Sequence, residues 1–135
     1  MNAASRTEGR RRALITGIAG FTGRYLAAEL AAAGYEVFGT VQAQDVGGAG
    51  HLACDLLDAD GVRAVVAEVQ PDVVAHLAAV SFVGHGDFRE VYGTNIVGTL
   101  NLLQALEGLA TPPSAVLLAS SANVYGNAVV DPITE

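Results

Sequence analysis

Between positions 13 and 34 the chain runs from a short apolar stretch (Ala13–Thr16) into a glycine-punctuated turn, Thr16-Gly17-Ile18-Ala19-Gly20-Phe21-Thr22-Gly23. An Ala/Leu-rich segment follows, ending at Gly34. This order is the strongest constraint in the sequence. A buried strand feeding a tight turn and then a helix is the opening of a βαβ unit, and Gly34 suits the residue just past a helix end. In that setting each glycine has a use: Gly17 for the turn, Gly20 for backbone approach to a pyrophosphate, Gly23 for close packing of helix on strand. The pattern therefore points to dinucleotide binding rather than to glycines that serve turns alone.

The rest of the chain repeats the alternation. Strands are expected at Tyr35–Thr40, His51–Cys54, Val73–Leu77 and Ala115–Ala119. Helices are expected at Asp58–Val69, capped by Asp58 or Asp60 and stopped by Pro71, and from Asp87 to about Glu107. Phe88, Val91, Ile96, Leu100, Leu103 and Leu106 are read as the core side of that long helix. Right-handed crossovers make this a doubly wound α/β parallel sheet in the order 3-2-1-4-5. The expected layout is a disordered basic arm at 1–12 and a dinucleotide-binding domain over 13–135, cut before its last strands and its substrate region.

Composition narrows the partners. With 135 residues, 51% of them hydrophobic, a second full domain has no room. The formal charge of −7 argues against nucleic acid, since nothing extends the basic arm along a face. No run approaches the length of a membrane span, and the glycines break up the resemblance of Arg10–Phe21 to a signal peptide. Cys54 has no partner for a disulfide or a metal pair, and the three histidines are not grouped, so no metal site and a cytoplasmic setting are expected. All seven basic residues are arginines. Without lysine a P-loop is excluded, and no Gly-x-Ser-x-Gly elbow is present.

Five motifs in order, Thr16–Gly23, Asp55-Leu56, His76-Leu77-Ala78-Ala79, Asn95-Ile96-Val97-Gly98-Thr99 and Ser120-Ser121-Ala122-Asn123-Val124-Tyr125-Gly126, resemble the extended short-chain dehydrogenase/reductases. These are Rossmann-type NAD-dependent epimerases, dehydratases and reductases. The stretch Gly98–Leu106 and the serine loop look most like GDP-4-keto-6-deoxymannose reductases. The resemblance implies an NAD or NADP cofactor held by Gly17, Gly20, Phe21, Thr22, Gly23, Asp55 (toward the adenine amine), Leu56, Leu77, Ala78, Ala79, Asn95, Ala119 and Ser120. His76 is left structural. It implies a nucleotide-sugar substrate whose reacting oxygen meets Ser121, with Ser120 as fallback. Ser81 and Phe82, and more loosely His85 and Arg89, are candidates for substrate contact.

Two departures qualify the resemblance. Asn123 stands where the resembling dehydratases carry a Glu base, and an amide cannot take up that proton, so reduction or epimerisation is preferred. The family's Tyr-x-x-x-Lys pair has no counterpart here. The expectation is an amino-terminal, cofactor-binding part of a nucleotide-sugar oxidoreductase or epimerase, inactive alone, with a homodimer as the candidate assembly. A non-catalytic dinucleotide-binding module or degenerate remnant is the rival. Thr40-Val41-Gln42 ends strand two without the acid or arginine that separates NAD from NADP, and Asp45 comes a few residues late.

Overall fold

A computed structural model describes residues 9–80, 88–127 and 129. Its strands are β1 (Arg12–Thr16), β2 (Glu36–Val41), β3 (His51–Ala53), β4 (Val73–His76) and β5 (Ala115–Leu118), all parallel in the order β3-β2-β1-β4-β5. The expected order is thus observed. Helices α1 (Phe21–Ala32) and α2 (Ala59–Val69) provide two of the crossovers. The helical path after β4 has three parts: α3 (Phe88–Tyr92), a π turn (Gly93–Val97) and α4 (Gly98–Glu107).

Period-two alternation in the strands divides the core between the two faces of the sheet. Leu14 and Val74 point to one face, where Val62, Val65, Val66 and Val69 of α2 meet Leu102, Ala105 and Leu106 of α4. Ile15 and Ala75 point to the other, against Leu26, Ala27 and Leu30 of α1. Asp58, not Asp60, caps α2, its Oδ1 accepting from the Asp60 amide at 3.1 Å. The helix ends at Gln70, held in the left-handed region at φ 49°, just before Pro71.

Two expectations are corrected. The basic arm is shorter than 1–12, because Arg12 belongs to β1 and is buried. Its Nε donates to Glu36 Oε2 at 3.0 Å and its Nη1 to the Val69 carbonyl at 3.1 Å. Arg11 is also engaged, donating to Ser114 Oγ at 2.9 Å and lying over the Tyr35 ring. A triple-arginine run reads as a solvated arm, but a parallel strand can start inside it when a carboxylate and a helix-end carbonyl await the guanidinium.

The long helix also turns a different side inward. Of the six residues read as core only Leu106 is fully buried, whereas Phe88, Ile96, Leu100 and Leu103 are exposed and Val91 is half-buried. The buried positions are Gly98, Leu102, Ala105 and Leu106. Both sides of the helix are apolar, and the extra residue of the π turn shifts its phase, so spacing alone selects the wrong stripe. β5 is exposed along its whole length, including Leu117 at 57%.

Candidate functional site

A cleft of about 740 Å³ opens at the carboxyl ends of β1, β2 and β4, where an open α/β sheet places its ligands. Gly17, Ala19 and Gly20 form part of its wall. Gly17 sits at φ +73°, and a Cβ there would stand 3.0 Å from the backbone of Ala78. The turn closes with the Gly20 amide donating to the Gly17 carbonyl at 3.0 Å. Gly23 faces away from the cleft; its Cβ would lie 2.3 Å from the Gly17 carbonyl oxygen. Helix α1 starts at Gly20 with no side-chain cap and no acidic residue in its first turn. Its first-turn amides lack intrahelical partners and carry the positive end of the helix dipole, a setting suited to a bound anion.

The floor of the cleft is held by a directed hydrogen-bond chain. Thr16 Oγ1 accepts from the amides of Leu77 and Ala78, both at 3.1 Å, so its own proton goes to His76 Nδ1 at 2.6 Å. His76 is then a neutral imidazole whose Nε2–H donates to Thr99 Oγ1 at 2.8 Å, and the Thr99 hydroxyl donates to the Asn95 carbonyl at 2.7 Å. Asn95 in turn grips Val80 at two points, its Oδ1 accepting from the Val80 amide at 2.8 Å and its Nδ2 donating to the Val80 carbonyl at 3.1 Å. The grip is made from within the π turn. Four polar side chains thereby tie the end of β1, the segment 77–80 and the start of α4 into one unit.

Burial lowers the pKa of His76 from its ordinary value. The unfolded chain therefore takes up this proton more readily than the folded one, and stability present above about pH 6.5 declines as the pH falls below it. The urea midpoint is expected to drop between pH 7.5 and 5.5, and a His76→Gln variant to show a flatter dependence. An equal slope in the two proteins would refute the assignment.

Along the wall near α2, Asp55 lines the cleft, and its Oδ1 accepts from the Leu57 amide at 2.9 Å. Since Asp58 does the capping, Asp55 is not a helix-start residue. Leu56 lines the same wall and supports α4 at Gly98, while Asn101 donates to its carbonyl at 2.8 Å. Burial, with Asp55 and Asp58 nearby, raises the Cys54 pKa, which keeps the thiol neutral. At the end of β2 the wall is made by Thr40, Val41 and Gln42, continued by Gln44 and Asp45 of the short 3₁₀ turn Ala43–Asp45.

Of the expected cofactor residues, Gly17, Gly20, Asp55, Leu56, Ala78 and Ala79 come together in this cleft. Leu77 does not, because its side chain packs against the cluster of Ile15, Ile18, Val41 and Ala75. Phe21 and Thr22 are exposed, Gly23 is buried behind the turn, and Asn95 acts through Val80. Ala119, whose amide donates to the His76 carbonyl at 3.1 Å, and the exposed Ser120 and Ser121 lie beyond the end of β5, outside the cleft lining. Ser81, Phe82 and His85 are outside the described residues, and Arg89 is exposed on α3 without lining the cleft. Cys54, Val80, Glu90 and Thr94 line it without having been expected. For Val80 the signal was Asn95 in mid-helix; for Glu90 and Thr94 none existed, since they arrive from a distant helix. Among the described residues no cluster that could hold a metal ion occurs, and no helix is long and apolar enough to cross a membrane.

The sequence model of a family described as GDP-mannose 4,6 dehydratase matches residues 14–135. GDP-6-deoxy-D-talose 4-dehydrogenase of Aggregatibacter actinomycetemcomitans is 34% identical over 116 residues, covering 84% of this chain and 36% of that protein. GDP-mannose 4,6-dehydratase of Vibrio cholerae serotype O1 is 35% identical over 135 residues, again covering 84% and 36%. Among solved structures, UDP-glucose 4-epimerase from Brucella ovis in complex with NAD superposes with a TM-score of 0.78 at 29% identity, over 93% of this chain and 40% of that one. The chain therefore spans well under half the length of these proteins.

Proposed function

The chain belongs to the GDP-mannose 4,6 dehydratase family of nucleotide-sugar epimerases and dehydratases, and from that premise we propose that it is the cofactor-binding part of an NAD(P)-dependent enzyme moving a hydride at a sugar carbon. The observation that carries the reading is the glycine turn. Gly20 opens on the cleft at an uncapped helix start, with the Ala78-Ala79 backbone opposite, so a pyrophosphate finds amide donors and a flat ribose finds no side chain in its way. These residues fit a dinucleotide.

When bound, the nicotinamide supplies the hydride acceptor or donor. Around it, the Thr16–His76–Thr99–Asn95 chain fixes the floor, and Asp55 offers an acceptor on the wall toward the adenine. The Ser121 hydroxyl is the group we assign to the substrate oxygen that gains or loses a proton, with Ser120 as fallback. Asn123, an amide where resembling dehydratases carry a Glu, favours reduction or epimerisation over water elimination. With no lysine in these 135 residues, the chain by itself is expected to bind cofactor without turning over. The exposed stripe Phe88, Tyr92, Ile96 and Leu100 supports self-association through this helix.

Isothermal titration of the chain with NAD⁺ tests the reading. Gly20→Val is expected to weaken binding roughly a hundredfold, about 2.7 kcal/mol, the scale of one or two charge-assisted hydrogen bonds. A Cβ at Gly20 meets only the Gly17 carbonyl, at 3.2 Å, so the variant is expected to keep its circular dichroism. Unchanged affinity in a folded Gly20→Val protein would remove the assignment.

A further inference from the structure

We propose that the chain has a second small-molecule site, behind the glycine turn, that takes a singly charged carboxylate with a compact apolar body. The site is a pocket of about 390 Å³ between α1 and the strands β2 and β3, within the size range of small-ligand sites. It shares no lining residue with the cleft, so it is a separate site and does not rest on the dinucleotide reading.

The pocket is built by small residues. Ile18 forms its inner end and packs over β2 at Gly39, where a Cβ would stand 2.3 Å from the Cβ of Ile18. Ala27 and Ala31, one turn apart on α1, are too short to close the gap to Val37 of β2, and an apolar trough remains between helix and strand. The chain before β3 supplies the far side. Gly50, at φ +76°, approaches the Val37 carbonyl so closely that a Cβ would lie 2.4 Å from its oxygen, and the Gly50 carbonyl accepts from the Gly39 amide at 2.9 Å. That approach sets Ala49 and His51 along the trough, with the His51 ring packed on Gly48, whose Cβ would stand 2.5 Å from Cε1.

Two polar side chains line the trough, and the fold uses neither. Arg11, Arg12 and Arg63 are held by Ser114, Glu36 and Asp60, whereas Arg24 makes no side-chain hydrogen bond or ion pair among the described residues. His51 is in the same position, and its Nδ1 is buried with no hydrogen-bond partner. Buried polar atoms left unpaired are uncommon in folded proteins, because each forfeits the water it gave up. No acidic residue lines this pocket among the described residues, while Asp45, Asp55 and Glu90, the charged residues lining the cleft, are all acidic. In a chain with a formal charge of −7 the pocket is a local reversal of sign.

These features together define the ligand. The planar fork of one guanidinium matches the two oxygens of one carboxylate, and an imidazole N–H adds a donor beside it. A single cation balances a single negative charge, and the field of an acidic chain penalises an anion that carries more. Ile18, Ala27 and Val37 offer no polar group to a ligand, so the body attached to the carboxylate is hydrocarbon, which gains by leaving water.

The test is an NMR titration of the isotope-labelled chain with sodium benzoate, with the uncharged analogue benzamide and with inorganic phosphate. Benzoate is expected to bind with a Kd on the order of 1 mM, as befits so small a ligand, and to shift the amides of Ala27, Ala31 and Ala49 and the Arg24 Nε–H while leaving Asp55, Ala78 and Ala79 in place. Benzamide and phosphate are each expected to bind at least tenfold more weakly, the first for want of charge and the second for want of an apolar body. Arg24 and Ala31 are exposed, so Arg24→Ala and Ala31→Leu should keep the dispersed spectrum of the folded chain. Each is expected to weaken benzoate at least tenfold, one by removing the cation and the other by filling the trough. Shifts confined to Asp55, Ala78 and Ala79 would place the probe in the cleft and overturn the proposal, as would the absence of any saturable shift. Benzamide or phosphate binding as tightly as benzoate would overturn the ligand class. Undiminished benzoate binding in the folded Arg24→Ala and Ala31→Leu proteins would overturn the site.

Discussion

Gly23→Ala is expected to cost about 3 kcal/mol or more of folding stability, although it adds one methyl group. The Cβ would stand 2.3 Å from the Gly17 carbonyl oxygen and 2.8 Å from both the Cα and the carbonyl oxygen of Ile18. All three atoms are backbone, so no rotamer change relieves the clash. Either α1 slides away from β1, or the turn Gly17–Gly20 opens. The first exposes Ile15 and Ile18, which are 0% and 4% accessible, and the second dismantles the proposed pyrophosphate site. Given a total stability of roughly 5–15 kcal/mol for a domain of this kind, such a loss lowers the urea midpoint by a large fraction. Gly47→Ala, with nothing within 4 Å of its Cβ, is the control and should leave the midpoint nearly unchanged. An unaltered midpoint in Gly23→Ala would mean that the close packing of α1 on the turn is not needed. The contrast with Gly20→Val is informative because the two glycines, three residues apart, would fail in different ways: one by loss of fold, the other by loss of ligand.

That Gly17 turns the chain and Gly23 lets the helix pack closely was legible in the sequence because the turn's context, a buried strand before it and a helix after it, leaves few arrangements of the backbone. Strand order was legible for a related reason: right-handed crossovers between parallel strands prune the alternatives. Ala78 and Ala79 line the cleft for the same local reason, since residues that follow a strand end in such a sheet border it.

What stayed hidden depends on contacts between segments far apart in the chain. Nothing local announces that Glu90 and Thr94 reach the cleft, because their arrival depends on where the helical path starts after residues 81–87. The inward side of α4 was hidden because Leu102, Ala105 and Leu106 compete with Ile96, Leu100 and Leu103 on hydrophobicity alone. The partners decide it: α2 brings four valines to the first set, and the second is left exposed. His76 was read as structural, and its structural role is larger than that reading supposed. Its two nitrogens take their roles from two threonines, 60 positions before it and 23 after it, and sequence spacing carries no sign of the pairing. Asn95 was the partial exception, because a poor helix former in mid-helix asks for a reason, and the Val80 grip supplies it.

Arg12 is the clearest case of long-range partners overriding local composition, and its removal is the second large effect expected. The residue is 3% accessible, its guanidinium held by Glu36 and the Val69 carbonyl and lying over the Phe38 ring. Its backbone amide donates to Asp72 Oδ2 at 2.7 Å, which joins the start of β1 to the turn before β4. Arg12→Ala leaves the Glu36 carboxylate without this partner and strips a donor from the Val69 carbonyl at the end of α2. Breaking a buried pair costs about 3–5 kcal/mol, and because the Glu36 side chain is 34% accessible the lower end, about 3 kcal/mol, is expected. Arg12→Lys keeps the charge but lacks the planar fork needed to reach carboxylate and carbonyl together, so it should recover only part of the loss. Urea midpoints for Arg12→Ala, Glu36→Gln and the double variant supply the cycle: if the pair is coupled as the geometry requires, the double variant loses less than the sum of the singles. Strict additivity would show the two side chains to be independent. Because the pair lies at the amino ends of the strands, NAD⁺ affinity of the folded variant should match that of the parent chain. Folding and cofactor recognition would then be separable at opposite ends of one sheet.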